Sequence, residues 1–68
     1  MNAFDRLNAA VAEVNRTGRV EFQWPLHEPE MNITLEKNMH IVFIWLGMGG
    51  KSRDIGPGEL LRLMATFE

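Results

Sequence analysis

The residue types that most often carry catalysis are sparse in this chain and do not stand at helpful spacings. It contains nine carboxylates, two histidines, a single serine (Ser52) and no cysteine. A nucleophile needs a base within hydrogen-bond reach, and no spacing places a histidine beside Ser52. Carboxylate pairs such as Glu28 and Glu30 are typical of an acidic, solvated loop. We therefore expect a protein that is not an enzyme.

Imidazole and carboxylate groups are also candidate zinc ligands. His27 is followed by Glu28 and, two positions later, by Glu30, while His40 falls on a predicted strand. No histidine lies at helical spacing from another ligand, and nothing in the sequence fixes a tetrahedral geometry. We expect no metal site and no cofactor.

A glycine-rich segment, Gly47 to Ser52, follows a predicted strand and ends in Lys-Ser, as a nucleotide-binding P-loop does. The P-loop pattern requires a glycine six positions before the lysine, where this chain has Trp45, and it continues directly into a helix. Here Gly56-Pro57-Gly58 follows shortly instead. We interpret the segment as a flexible loop, of the kind that often orders on binding.

Aromatic side chains on strands can stack RNA bases when Lys and Arg surround them. In this chain their neighbours are mainly Glu, Gln and Thr, so core packing is the preferred interpretation of Phe22, Trp24, Phe43 and Trp45. The formal charge of -2 and the scattered basic residues also argue against a phosphate-binding surface. A weaker alternative is nucleic-acid binding through four cations: Arg16, Arg19, Lys51 and Arg53.

The length of 68 residues limits the chain to one domain, residues 1–68. A domain of this size buries only about 60% of its unfolded surface, and without cysteine it has no disulfide to help. The longest mostly apolar run, Met39–Leu46, is far shorter than the roughly 20 residues that cross a bilayer. The first residues show no basic region before an apolar run. We expect a cytoplasmic protein with no membrane partner.

Periodicity of the apolar residues predicts an α+β fold in two layers, with a helix, a three-stranded antiparallel meander and a second helix. The predicted elements are a helix over Ala3–Asn15, strands over Arg19–Trp24, Met31–Glu36 and Met39–Leu46, and a helix over Pro57–Phe67. Between the last strand and the last helix, glycine is too frequent for regular structure. The core side of the first helix is predicted as a stripe of Phe4, Leu7, Val11 and Val14, widened by Ala10.

The third predicted strand has no polar face, because His40 is the only residue of Met39–Leu46 that is not apolar. Its orientation depends on the preceding turn, since a change of one residue in loop length moves every side chain to the other face. We consider a two-residue turn, Lys37-Asn38, and a three-residue turn that adds Glu36. The first exposes, and the second buries, the same four side chains: Met39, Ile41, Phe43 and Trp45.

We favour the three-residue turn, because its last position needs a left-handed residue and Asn38 tolerates that conformation. The other side of the strand then faces solvent, and adjacent aliphatic side chains on a polar sheet face are unusual for a monomer. We expect this surface to bind another protein or a second copy of the chain, unless the glycine-rich segment or a helix covers it. The predicted partner-binding residues are His40, Val42, Ile44, Leu46, Lys51 and Arg53.

A short, acidic, cysteine-free α+β chain without catalytic motifs is similar in kind to the accessory proteins of phages and mobile elements, which often act by occluding a host protein. This similarity concerns size and composition rather than a shared motif. It implies a small protein-binding module that acts as an inhibitor. A homodimeric accessory domain is the alternative, and a weak nucleic-acid-binding protein is a more distant one.

Overall fold

A computed structural model describes all 68 residues and shows an α+β fold with two helices and one antiparallel sheet. The sheet has four strands in sequential order, so the predicted meander is present with one strand more than expected. The elements are α1 (Ala3–Thr17), β1 (Arg19–Trp24), β2 (Met31–Asn38), β3 (Ile41–Met48), β4 (Lys51–Asp54) and α2 (Pro57–Thr66). Neither helix is long and apolar enough to cross a membrane.

Helix α1 begins and ends where its sequence favours caps. The side chain of Asn2 accepts a hydrogen bond of 2.8 Å from the backbone N–H of Asp5. At the other end Gly18 adopts a left-handed φ of 91°, and its N–H donates to the carbonyl of Val14. The helix buries the four residues Ala3, Leu7, Ala10 and Val14. The prediction that Phe4 belongs to the core is wrong, because the small Ala3 takes the buried position in the first turn and Phe4 is exposed.

Strands β2 and β3 pair in a register that differs from the favoured prediction. Leu35 lies opposite Ile44, and Asn38 lies opposite Ile41. The turn consists of Met39 and His40, and the residue with positive φ is Met39, at 59°, rather than Asn38. Strand β2 is therefore two residues longer than predicted. Because Leu35 was expected opposite Met39, the pairing moves by five positions along β3, an odd number, and every side chain of β3 changes face.

A fourth strand replaces the loop predicted after β3. Gly49 and Gly50 both have positive φ, 61° and 78°, as a two-residue type I′ turn requires. They return the chain so that Lys51 pairs with Met48 and Asp54 with Trp45. The expectation that glycine excludes regular structure here is wrong, because the two adjacent glycines form the turn of a hairpin.

The core lies between the helices and one face of the sheet. It contains 15 buried residues, all hydrophobic, with alternate positions of β1, β2 and β3 directed towards the helices. Trp24 fixes α2 to this core, since its buried indole N–H donates a hydrogen bond of 2.8 Å to the carbonyl of Met64. On the same side, the guanidinium of Arg6 lies 4.1 Å from the centre of the Phe22 ring. The opposite sheet face, called here the outer face, is not covered by any element.

Candidate interaction surface

The six residues predicted to bind a partner do not form one surface. Ile44 and Leu46 are 7% and 2% exposed, so the prediction that they face solvent is wrong. Both pack beside Leu35 and Ile33 in the core, because those are their partners across β2. Val42 points to the same side and is partly buried.

The three polar members of the predicted set are exposed but lie apart. His40 occupies the turn between β2 and β3, and Lys51 stands at the start of β4. Arg53 lies opposite the buried Leu46, and its guanidinium makes an ion pair of 3.1 Å with Glu59 of α2. These three side chains therefore lie at the β2–β3 turn, at the start of β4 and on the helix side of the sheet, and they do not surround an apolar patch.

The structure instead exposes the alternate residues of β3. Ile41, Phe43 and Trp45, called here the β3 row, are 58%, 42% and 40% exposed. They are consecutive outward positions on one strand, so their side chains stand next to one another along the outer face. These are three of the four residues that the less favoured two-residue turn, Lys37-Asn38, would have exposed, although the actual turn is Met39-His40. Large apolar side chains in a contiguous exposed row are typical of interaction sites.

The neighbouring strands surround the β3 row with polar side chains. Across β2, Asn38 faces Ile41, Glu36 faces Phe43 and Thr34 faces Trp45. On the other side Asp54 of β4 is the partner of Trp45. The only apolar side chains on this face are thus those of β3, and the row is an apolar centre with a polar border, as in many protein interfaces.

A shallow depression of about 420 Å³ lies beside the β3 row, lined by Glu36, Lys37, Asn38, Phe43 and Trp45. Phe43 and Trp45 form one wall, and the carboxylate of Glu36 is directly opposite Phe43. Lys37 is the partner of Val42, so its side chain belongs to the helix side of the sheet. The depression can receive a protruding side chain from a partner.

The remaining chemistry-bearing residues do not come together. No group of three or more His, Asp and Glu side chains is arranged so that it could hold a metal ion. Of the four cations considered for nucleic acid, Arg19 is paired with Glu21 and Arg53 with Glu59. No buried polar side-chain atom lacks a hydrogen-bond partner. The outer face with its β3 row is therefore the strongest candidate site.

Comparison of the chain with protein-family models, with curated proteins and with solved structures gives no match.

Proposed function

We propose that this chain is a non-enzymatic protein-binding module and that the outer face of its sheet makes the contact. The observation that carries the proposal is the β3 row: Ile41, Phe43 and Trp45 are 58%, 42% and 40% exposed at the centre of an uncovered sheet face. Aromatic side chains are enriched in the energetically dominant positions of interfaces. Removing these side chains from water on binding supplies a hydrophobic driving force that the free domain does not use.

We further propose that binding inhibits the partner by occluding its surface, as small accessory proteins of phages and mobile elements do. The short chain length and the acidic composition support this part of the proposal. A domain of this size can cover a standard interface of roughly 800 Å² per partner with one face.

The test compares two variants that each remove exposed apolar surface. Phe43→Thr combined with Trp45→Thr removes most of the β3 row, and Phe4→Gln removes from α1 an aromatic residue that is even more exposed, at 58%. Threonine suits a strand and glutamine suits a helix, so both variants should keep the fold, which circular dichroism and amide NMR spectra verify.

Each protein, immobilised, is then used for quantitative affinity capture from cells of the source organism. The proposal predicts proteins retained by the wild type and by Phe4→Gln but lost from the β3-row variant. Identical retention by all three proteins, or no retention by the wild type above an empty matrix, would contradict it.

A second copy of the chain is the alternative partner, because the same row could pack against itself. Sedimentation across a concentration series distinguishes the two. A dimer abolished by the β3-row variant would favour the homodimer, whereas a monomer throughout the series would eliminate it.

A further inference from the structure

The outer face carries more negative than positive charge, and its two unpaired charges are both carboxylates. Its ionisable side chains are one cation and three anions: Arg19, Glu21, Glu36 and Asp54. Arg19 makes its ion pair with Glu21, although Glu36 is its partner across the strands. Neither Glu36 nor Asp54 takes part in any ion pair of the structure.

These two carboxylates lie on opposite sides of the β3 row. Glu36 of β2 lies opposite Phe43, and Asp54 of β4 lies opposite Trp45. Each therefore presents a carboxylate next to an aromatic ring. A guanidinium or ammonium group suits such a position, because it can bond the carboxylate while lying over the face of the ring.

From this arrangement we infer that the partner bound by the β3 row is a basic protein segment, in which Arg or Lys and aliphatic residues stand two positions apart and so share one face of an extended chain. The inference rests on the proposed protein-binding function and specifies its partner. The aliphatic side chains cover Ile41 and Phe43, and a cation enters the depression between Glu36 and the aromatic wall. Arginine fits this site better than lysine, since its planar group both stacks and forms paired hydrogen bonds.

The carboxylates of the outer face also disfavour two other partners, a second copy of the chain and nucleic acid. Packing two outer faces together would oppose two sets of unpaired carboxylates, and the only cation available on each face is already paired with Glu21. Nucleic acid would bring phosphates to an acidic face, whereas its binding depends on neutralisation by Lys and Arg.

The experiment uses two synthetic pentapeptides added to the isotope-labelled protein and followed by NMR. One is acetyl-Leu-Ser-Arg-Ser-Leu-amide, whose Leu and Arg side chains share one face of the extended chain, and the other has citrulline, which has the same shape without the charge, in place of arginine. We expect the arginine peptide to shift the amide signals of Glu36 and Phe43 and the indole N–H of Trp45. We also expect it to bind at least about three-fold more tightly than the citrulline peptide, the size of an exposed charge pair.

Two variants make the assignment specific. Glu36→Gln combined with Asp54→Asn should remove the advantage of the arginine peptide and leave binding of the citrulline peptide unchanged. Glu28→Gln, which removes an exposed carboxylate from the connection between β1 and β2, should leave both affinities unchanged.

Equal affinities of the two peptides for the β3 row would contradict the inference that the partner is basic. The row would still be a binding surface. Shifts confined to other parts of the chain, or no shifts, would overturn the inference as well. Concentration-dependent dimerisation through Phe43 would assign the face to a second copy and also contradict the inference. Failure of the proposed protein-binding function would be detected in the separate capture experiment, in which the β3-row variant would retain the same proteins as the wild type.

Discussion

Leu35 of β2 lies directly opposite Ile44 of β3, and the two residues form a pair that does not exchange backbone hydrogen bonds. The N–H of Lys37 donates to Gly18, so Leu35, two positions before it, also directs its backbone towards β1. The carbonyl of Ile44 accepts a hydrogen bond of 3.1 Å from Ile55, so Ile44 directs its backbone away from β2. This pairing buries Ile44 and consequently exposes Phe43 and Trp45.

The two faces of β3 should respond differently to truncation. Ile44→Ala removes a buried side chain from beside Leu35 and should lower the free energy of unfolding by about 2–5 kcal/mol. Phe43→Thr acts on a side chain that is 42% exposed and should cost under about 1 kcal/mol. Urea denaturation of both variants measures the difference. If Phe43→Thr were the more damaging, the register described here would be wrong.

The two tryptophans should report different environments. Trp24 is 3% exposed and Trp45 is 40% exposed. A Trp45→Phe variant, in which only Trp24 emits, should show blue-shifted fluorescence that acrylamide quenches poorly. The reciprocal Trp24→Phe variant should show red-shifted emission that acrylamide quenches readily. Similar emission and similar quenching in the two variants would mean that the β3 row is not open to solvent.

The hydrogen bond between Trp24 and Met64 should contribute measurably to stability. Trp24→Phe removes the buried indole N–H that donates to the Met64 carbonyl and leaves space in the core. We expect it to lower the free energy of unfolding by about 1–3 kcal/mol. Trp45→Phe is the matched control and should cost under about 1 kcal/mol. Equal losses in thermal or urea unfolding would show that the indole N–H does not anchor α2.

The hairpin between β3 and β4 should depend on the backbone conformation of Gly50. Its φ of 78° is left-handed, and no atom lies within 4 Å of a Cβ built there, so any penalty comes from the backbone alone. Gly50→Ala should cost about 1–2 kcal/mol. Gly58→Ala, in the first turn of α2 and also without a steric conflict, should stabilise the protein by about 0.5–1 kcal/mol. A thermal melt that rises with Gly50→Ala would contradict the assigned turn.

Local patterns in the sequence were sufficient to predict the helices, the first two strands and the α+β class. The apolar stripe of Leu7, Val11 and Val14 and the alternation of Arg19–Trp24 act over a few residues, so each can be interpreted without knowledge of the rest of the chain. The all-apolar character of β3 is also a local pattern. It indicated that this strand has more apolar surface than the core can bury.

The orientation of β3 could not be predicted in this way, because it depends on packing across the sheet. The turn preference of Asn38 is a local effect, and it is outweighed by the burial of Ile44 and Leu46 beside Leu35 and Ile33. Helix α1 approaches the sheet through small residues such as Ala10, and Phe22 and Trp24 already occupy the space beneath the helices. Only with this packing known is it evident that Phe43 and Trp45 face outwards.

The pairing of Leu35 with Ile44 can be measured directly by NMR, and the exposure of the β3 row depends on it. In an antiparallel pair without hydrogen bonds the two Cα atoms are about 4.5 Å apart, which brings their Hα atoms close together. We predict a strong nuclear Overhauser effect between the Hα of Leu35 and the Hα of Ile44. An effect that joins Leu35 to Met39 instead would place Phe43 and Trp45 in the core and contradict the proposed surface.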